Sequence, residues 1–187
     1  MGSDVSIPAN WLSPTTMENL PHALVGEFID AVVRDPKKAD VLLAERPSLL
    51  NARWIHDETV LHFLAIEGFA EGVRFLASRG ADVNAVNEFG DSALVDVAVI
   101  GIDDIADILL RHGANPNASS ATRDNALHAA VRSGNVRLVA LLLKAGANGR
   151  YRTNLGESVF DAVNEVPDQR ETLLATLGEY GIVQDAG

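Results

Sequence analysis

A period of 33 residues runs through the chain and restricts its fold more than any other feature. The segment GADVNA at 80–85 returns as GANPNA at 113–118 and as GANGRY at 146–151, and Asn51 and Asn84 keep the same spacing. A repeat of about this length is typical of stacked structural units, because one unit of that size cannot bury its apolar face alone. The sequence therefore predicts an extended stack of small, similar units.

The period divides the chain into windows, and the three middle windows share one internal pattern. In one of them the stretches 59–68 and 70–80 both have helical spacing of apolar residues, and each ends at a glycine. The next two windows repeat this arrangement in phase, so we expect two short antiparallel helices per window. The expected organisation is a tail at 1–20, a single domain at 21–185 with windows 21–53, 54–86, 87–119, 120–152 and 153–185, and an end at 186–187.

The first helix of each middle window opens with a related four-residue motif. It reads TVLH at 59–62, SALV at 92–95 and NALH at 125–128, and the GAD-type segments follow it in fixed phase. These motifs resemble the ankyrin repeat, whose T-P-L-H and later GAD-x-N-A motifs they match in part. The resemblance implies an all-α, ankyrin-type solenoid of about five 33-residue helix-turn-helix repeats with short β-turn or hairpin loops.

Several motif residues are expected to belong to the scaffold. The resemblance implies that His62 and His128 hydrogen-bond neighbouring loops, whereas the third window has Val95 at that position and is expected to be held more loosely. Gly80 would permit the left-handed turn that ends the outer helix, and Asn84 would bond the backbone of its bend.

The first and last windows keep the phase of the repeat but not its letters. Phe28 and Phe160 occupy the phase of the leucines in the middle motifs, and the last window has lost the GAD turn. Asp35 and Pro36 are expected to begin a helix as N-cap and first residue. We therefore expect both windows to act as caps, because terminal repeats must present one face to water.

Composition narrows the possible functions. The chain has no cysteine and a net charge of −11. The first property excludes disulfides and thiolate chemistry and fits a reducing compartment. The second argues against nucleic-acid and membrane partners, because both surfaces are anionic. With neither a membrane-length apolar run nor a secretion signal in the sequence, we expect a soluble, cytoplasmic protein.

The sequence contains none of the catalytic or metal-binding motifs that carry a recognisable mechanism. We therefore expect no enzyme activity, no cofactor and no metal site. The alternative is a small ligand-binding or hydrolytic protein with a site near His56, Glu58 and Asp91. A second alternative is an adaptor tethered to membrane by lipidation of Gly2, because the opening MGSDVS fits the loose myristoylation pattern.

Charge is distributed unevenly among the windows. Window 87–119 has a net charge of −5, window 120–152 of +5 and window 153–185 of −6. The basic belt in window 120–152 fits either attraction between neighbouring repeats or a landing site for an acidic partner segment. The acids Asp103, Asp104 and Asp107 fit either a favourable interaction with a helix dipole or a weak divalent-cation site.

The resemblance also implies where a partner protein or peptide would bind, namely on the concave face built from the turn tips and the first helices. The positions carried over to repeats two and three are rich in apolar side chains, whereas those of repeat four are polar, so the scaffold itself does not require apolar residues there. We expect an apolar centre with acidic flanks and a cationic end. An amphipathic helix or extended peptide with apolar anchors, basic flanks and an acidic end would complement it.

The predicted partner-binding residues are Ile55, His56, Glu58, Ile66, Glu67, Val86, Glu88, Phe89, Asp91, Val99, Ile100, Arg132 and Arg152. The remaining carried-over positions are Ser119 in the third repeat and Ala121, Thr122, Asp124 and Ser133 in the fourth.

Two other occupants of the apolar patch remain open at this point. The tail carries Ile7, Trp11 and Leu12, which could fold back onto the patch, and two copies of the chain could associate through it. Removing residues 1–20 would raise dye binding and aggregation if the tail covers the patch.

Overall fold

The computed structural model describes residues 20–118, 120 and 125–184, and within these ranges it contains ten α-helices and no β-strand. This confirms the predicted all-α fold. The helices are α1 (His22–Arg34), α2 (Pro36–Glu45), α3 (Val60–Ile66), α4 (Ala70–Ser78), α5 (Ala93–Ile100), α6 (Asp103–Arg111), α7 (Ala126–Arg132), α8 (Val136–Lys144), α9 (Val159–Asn164) and α10 (Arg170–Glu179).

The helices form two stacked rows. The inner helices α3, α5, α7 and α9 contact one another in chain order, and the outer helices α4, α6, α8 and α10 do the same. Their apolar faces share one continuous core, in which Leu61, Leu94 and Leu127 are at most 1% exposed. Phe28 joins this core fully, whereas Phe160 is only partly buried against it, next to the fully buried Val159.

Glycines end the outer helices in the way the sequence predicts. Gly80, Gly113 and Gly146 have φ of 85°, 89° and 93°, a conformation that side chains with a Cβ rarely adopt. The alanine after each glycine is buried. At the start of α2, Asp35 accepts a hydrogen bond from the Lys38 amide at 3.2 Å, which confirms its predicted role as N-cap.

A ladder of asparagine side chains joins successive repeats. The Asn84 side chain accepts a hydrogen bond from the Asn115 amide at 2.7 Å and donates one to the Gly113 carbonyl at 3.0 Å. Asn51 and Asn117 accept the corresponding amide bonds at 2.8 and 2.7 Å. The expectation that Asn84 bonds its own bend is therefore wrong, because the partner groups lie in the next repeat.

The third repeat, which has Val95 in place of the motif histidine, is joined to the second repeat through the buried acid Asp96. His62 Nε2 lies 2.8 Å from Asp96 Oδ2, and the two side chains are 1% and 8% exposed. Asn87 donates to the same carboxylate oxygen at 3.4 Å. The bond thus connects α3 with α5 directly, where we expected His62 to bond a loop.

His128 makes different contacts from those of His62. Its Nδ1 lies 2.9 Å from Asn125 Oδ1, and its ring packs edge-on against Tyr151 with the ring centroids 5.7 Å apart. Burial lowers the pKa of His128 below its ordinary value, although nearby Glu157 opposes this shift. The neighbouring turn is thus contacted through ring packing on Tyr151 and through the Glu157 backbone, whose interaction with the imidazole raises the pKa of His128.

At the C-terminal end of the stack, a glycine replaces the larger residue of the earlier turns and leaves room for a side chain from the end of the chain. Gly149 stands where the earlier GAD-type turns carry Val83 and Pro116. Ile182 occupies the space that a Cβ on Gly149 would need. The last turn therefore packs against the segment that follows α10.

Candidate partner-binding groove

The exposed apolar side chains of the predicted site lie at the turn tips and at the C-terminal ends of the inner helices. Each is between 44% and 53% exposed. We call this set the groove patch, and it consists of Ile55, Val86, Phe89, Val99 and Ile100.

Hydrogen bonds hold two neighbouring turn tips together. The guanidinium of Arg53 donates to the carbonyl oxygens of Asp57 and Val86, both at 2.6 Å. The Glu88 amide donates to the His56 carbonyl at 3.0 Å, and the His56 ring nitrogen Nδ1 lies 2.6 Å from a Glu88 carboxylate oxygen. These bonds fix the position of the apolar side chains at the tips.

The first of these tips has a strained backbone. His56 and Asp57 have φ of 55° and 56°, and Asp57 stands one period before Gly90, which has φ of 79°. A side chain with a Cβ in this conformation costs about 1 kcal/mol or more. The Arg53 bonds offset part of that cost, and the turn directs the His56 ring to within 5.8 Å of the Phe89 ring.

The inner-helix ends contribute the second part of the site. Val99 and Ile100 are exposed at the end of α5, whereas Ile66 at the end of α3 is half-buried. Glu67 follows Ile66 as the exposed C-cap of α3. The two parts are separated by at least the length of an inner helix, about 10 Å for seven residues.

Glu58 is a half-buried carboxyl group at the foot of the first tip. Burial raises its pKa, and the carboxylates of Asp96 and Glu67 raise it further. His62 and His56 act in the opposite direction, but the net pKa lies above the ordinary value. The negative charge of Glu58 is therefore held in an unfavourable environment.

Asp91 lies inside the fold rather than on the groove surface. Its side chain is only 1% exposed, so it is not accessible to a partner, contrary to the prediction. In the predicted hydrolytic site, His56 is paired with Glu88. Among the described residues there is no group of three or more side chains that could hold a metal ion.

The predicted cationic end is largely neutralised by acids of the last repeat. The Arg132 guanidinium lies 2.6 Å from Glu157 and 3.0 Å from Glu165. Arg152 is exposed and donates to the Gly156 carbonyl at 2.9 Å. Of the two interpretations of the basic belt, attraction between neighbouring repeats therefore accounts for Arg132.

The acids at the start of α6 also have local partners. Asp103 lies 3.1 Å from Arg137 of the next repeat, and Asp107 lies 2.8 Å from Arg111. Asp104 accepts a hydrogen bond from the Ile105 amide. Two of the three carboxylates thus form ion pairs with arginines, and the third accepts a hydrogen bond from the backbone of the first helical turn.

Three residues near the groove or its support were missed at the sequence level. Leu155 is 86% exposed at a turn tip, two periods after Phe89. Extending the period into the last window would have identified it. Asp96 was recognisable as an acid in an otherwise apolar helix, whereas nothing in the sequence indicates the carbonyl partners of Arg53.

An open groove of about 580 Å³ lies elsewhere, lined by residues of α1 and α4 such as Val33, Phe69 and Phe75. No predicted site residue lines it. Several predicted or alternative positions lie outside the described residues, namely Gly2, Ile7, Trp11, Leu12, Ser119, Ala121, Thr122 and Asp124.

Comparison with protein families gives one match. A model described as ankyrin repeats (3 copies) matches residues 31–120 and 61–153, which together span more than half of the chain. A search of curated proteins gives no significant match. In the part of the chain that the structure describes, no helix is both long enough and apolar enough to cross a bilayer.

Proposed function

We propose that this chain, which belongs to the ankyrin repeat family, is a non-enzymatic module that binds another protein or peptide on its groove patch. Ankyrin repeats generally act in protein–protein interaction. Function in such a scaffold depends on the side chains that the repeats present, because the stack itself is compatible with many partners.

The observation that supports this proposal is the exposure of the groove patch. Five large apolar side chains there are 44–53% exposed, although the same positions in the fourth repeat include Arg132 and Ser133. Exposed apolar clusters on a soluble surface usually mark interaction sites, because water contact with them is unfavourable. The fixed backbone of the two tips further favours binding, since less conformational freedom is lost when a partner docks.

The proposal extends to location. The lack of cysteine is consistent with a reducing compartment, and we place the module in the cytoplasm on that ground.

The proposed function is tested by affinity capture from the lysate of the native cell. The variant is Phe89→Glu with Ile100→Glu, since both side chains are about half exposed and their replacement should leave the fold intact. The matched control is Val41→Glu with Val183→Glu, which changes net charge equally at apolar side chains that are 56% and 68% exposed and lie outside the patch.

We expect a partner that wild type and the control capture and that the patch variant loses. Circular dichroism must first show that all three proteins are equally folded. Equal capture by all three would exclude the groove patch as the binding site.

A further inference from the structure

We infer that the segment held on the groove patch is a cationic apolar segment of another protein, with lysine or arginine side chains beside its apolar anchors. This inference rests on the proposed function and specifies the partner at the same site. It is carried by the charges that border the patch.

The free charges at the first tip and helix end are acidic. Glu58 adjoins the strained tip, and Glu67 adjoins Ile66 at the end of α3. Within the described residues, neither carboxylate has a salt-bridge partner, and the two lie close enough for Glu67 to raise the pKa of Glu58. The neighbouring cation Arg53 is already bonded to two backbone carbonyls.

The position of Glu67 is unfavourable for the scaffold alone. It is the C-cap of α3, and the C-terminal end of a helix carries partial negative charge. The corresponding positions in the next two repeats are Ile100 and Ser133, so the fold does not require an acid there. A cation placed beside Glu67 would interact favourably with both the carboxylate and the helix end.

Glu58 leads to the same conclusion by a different route. Its carboxylate is half-buried, burial and the nearby charge of Asp96 raise its pKa, and the attraction of His62 and His56 does not compensate fully. A cationic side chain entering from the groove would supply the missing compensation. On the repeat-four side, Arg132 is neutralised by two acids, so repulsion of such a segment there is reduced to the charge of the exposed Arg152.

The same charges disfavour the other occupants. The tail at 1–20 contains Asp4 and Glu18 and no lysine or arginine, so it would bring acids to an acidic border. A second copy of the chain has a net charge of −11 and would place Glu58 and Glu67 near their own counterparts. Charge complementarity therefore favours a basic segment from a different protein.

The test is a selection of random 16-residue peptides displayed on phage, carried out on the full chain. The most enriched peptide is then synthesised with a fluorescent label, and its affinity is measured by anisotropy. Three proteins are compared: wild type, Glu58→Gln with Glu67→Gln, and the matched control Glu45→Gln with Glu179→Gln, whose exposed carboxylates lie on α2 and α10.

We expect enriched peptides in which lysine or arginine flanks apolar residues. The dissociation constant should rise about three- to tenfold in the Glu58/Glu67 variant and stay unchanged in the control. Binding should be lost in Phe89→Glu with Ile100→Glu, and it should weaken as salt rises.

The contrary results separate the two proposals. Peptides that need Phe89 and Ile100 but are uncharged or acidic would overturn the inference and leave the proposed function standing. A selection that yields no peptide dependent on the patch would overturn both. Sedimentation that shows a dimer broken by the Phe89/Ile100 variant would identify a second copy as the occupant and would overturn the inference. Binding of an apolar dye that rises when Trp11→Gln, which adds no charge, is introduced in the tail would identify the tail as the occupant and would overturn it as well.

Discussion

Removing Asp96 should weaken the coupling between the second and third repeats. The His62–Asp96 bond is 2.8 Å long, and its side chains are 1% and 8% exposed, so neither group can replace its partner with water. Loss of one member of such a buried pair costs about 3–5 kcal/mol, because the other polar group remains buried without compensation. We expect Asp96→Ala to lower the free energy of unfolding by roughly that amount, a large part of the ~5–15 kcal/mol of a typical domain.

A double-mutant cycle isolates the bond from the other effects of each substitution. Asp96→Ala, His62→Ala and the double variant are unfolded in urea at pH 7 and followed by circular dichroism at 222 nm. Because the double variant leaves no unpaired member, its loss should be about 1–3 kcal/mol smaller than the sum of the single losses. The single variants should also broaden or split the transition, since stability in a solenoid depends on the interfaces between neighbouring repeats.

The matched control is a cycle between His62 and Asp40, an acid that pairs instead with Arg79, the C-cap residue of α4. These two losses should be additive within about 0.5 kcal/mol. Additivity of the His62 and Asp96 losses as well would refute the reasoning, because the buried contact would then contribute no coupling between the helices.

Three further predictions concern single positions. Asn84→Ala should destabilise the fold by about 1–2 kcal/mol in urea unfolding, because two inter-repeat hydrogen bonds are lost, and Asn84→Asp, which keeps the acceptor, should cost less; equal losses would contradict the ladder. Glu58 has a raised folded-state pKa, so its contribution to stability falls as pH rises above the ordinary value of about 4.3. Glu58→Gln should therefore stabilise the protein at pH 7 by less than about 1 kcal/mol, given partial solvent screening, and flatten that pH dependence; a destabilised variant would argue against it. Gly149→Val should cost about 1–3 kcal/mol by displacing Ile182, and adding Ile182→Ala should recover part of the loss; no recovery would exclude this contact as the cause.

The regular part of the fold was predictable because it depends on local spacing. Apolar residues at helical intervals fixed the helix pairs, and glycine after each outer helix fixed where it ends, as Gly80 with φ of 85° confirms. Asp35 followed by Pro36 is likewise a local signal, and its N-cap bond formed as predicted.

Contacts between repeats were less predictable, because they depend on how one unit is placed on the next. The sequence alone is consistent with an Asn84 side chain that hydrogen-bonds the bend of its own repeat. Only the stacking of the repeats shows that Asn115 and Gly113 are its partners. From the sequence alone, burying the carboxylate of Asp96 would appear to destabilise the fold, because the sequence does not show that His62 pairs with it. The apolar residues at the turn tips were identified from family positions. How far each side chain is exposed depends on the backbone of its own turn, which those positions do not specify.

The charged part of the site shows the same limit. The window charges indicated a basic belt but could not indicate how its members are paired. Arg132 proved to lie between Glu157 and Glu165, and Asp91 proved to be buried, although the pattern placed both on the groove surface. Window charges do not resolve which carboxylates an arginine faces, since that depends on the stacking of the last two repeats.

The most direct test of the groove patch is site-specific photo-crosslinking in the native cell. A benzoylphenylalanine is placed at Phe89 or Ile100, and at Val41 as a control position on α2 that is 56% exposed. The account predicts that Phe89 and Ile100 both crosslink to the same partner protein through an apolar segment rich in lysine or arginine, and that Val41 does not. Crosslinks to that partner from Val41 alone, or from the patch only to a second copy of this chain, would contradict the account.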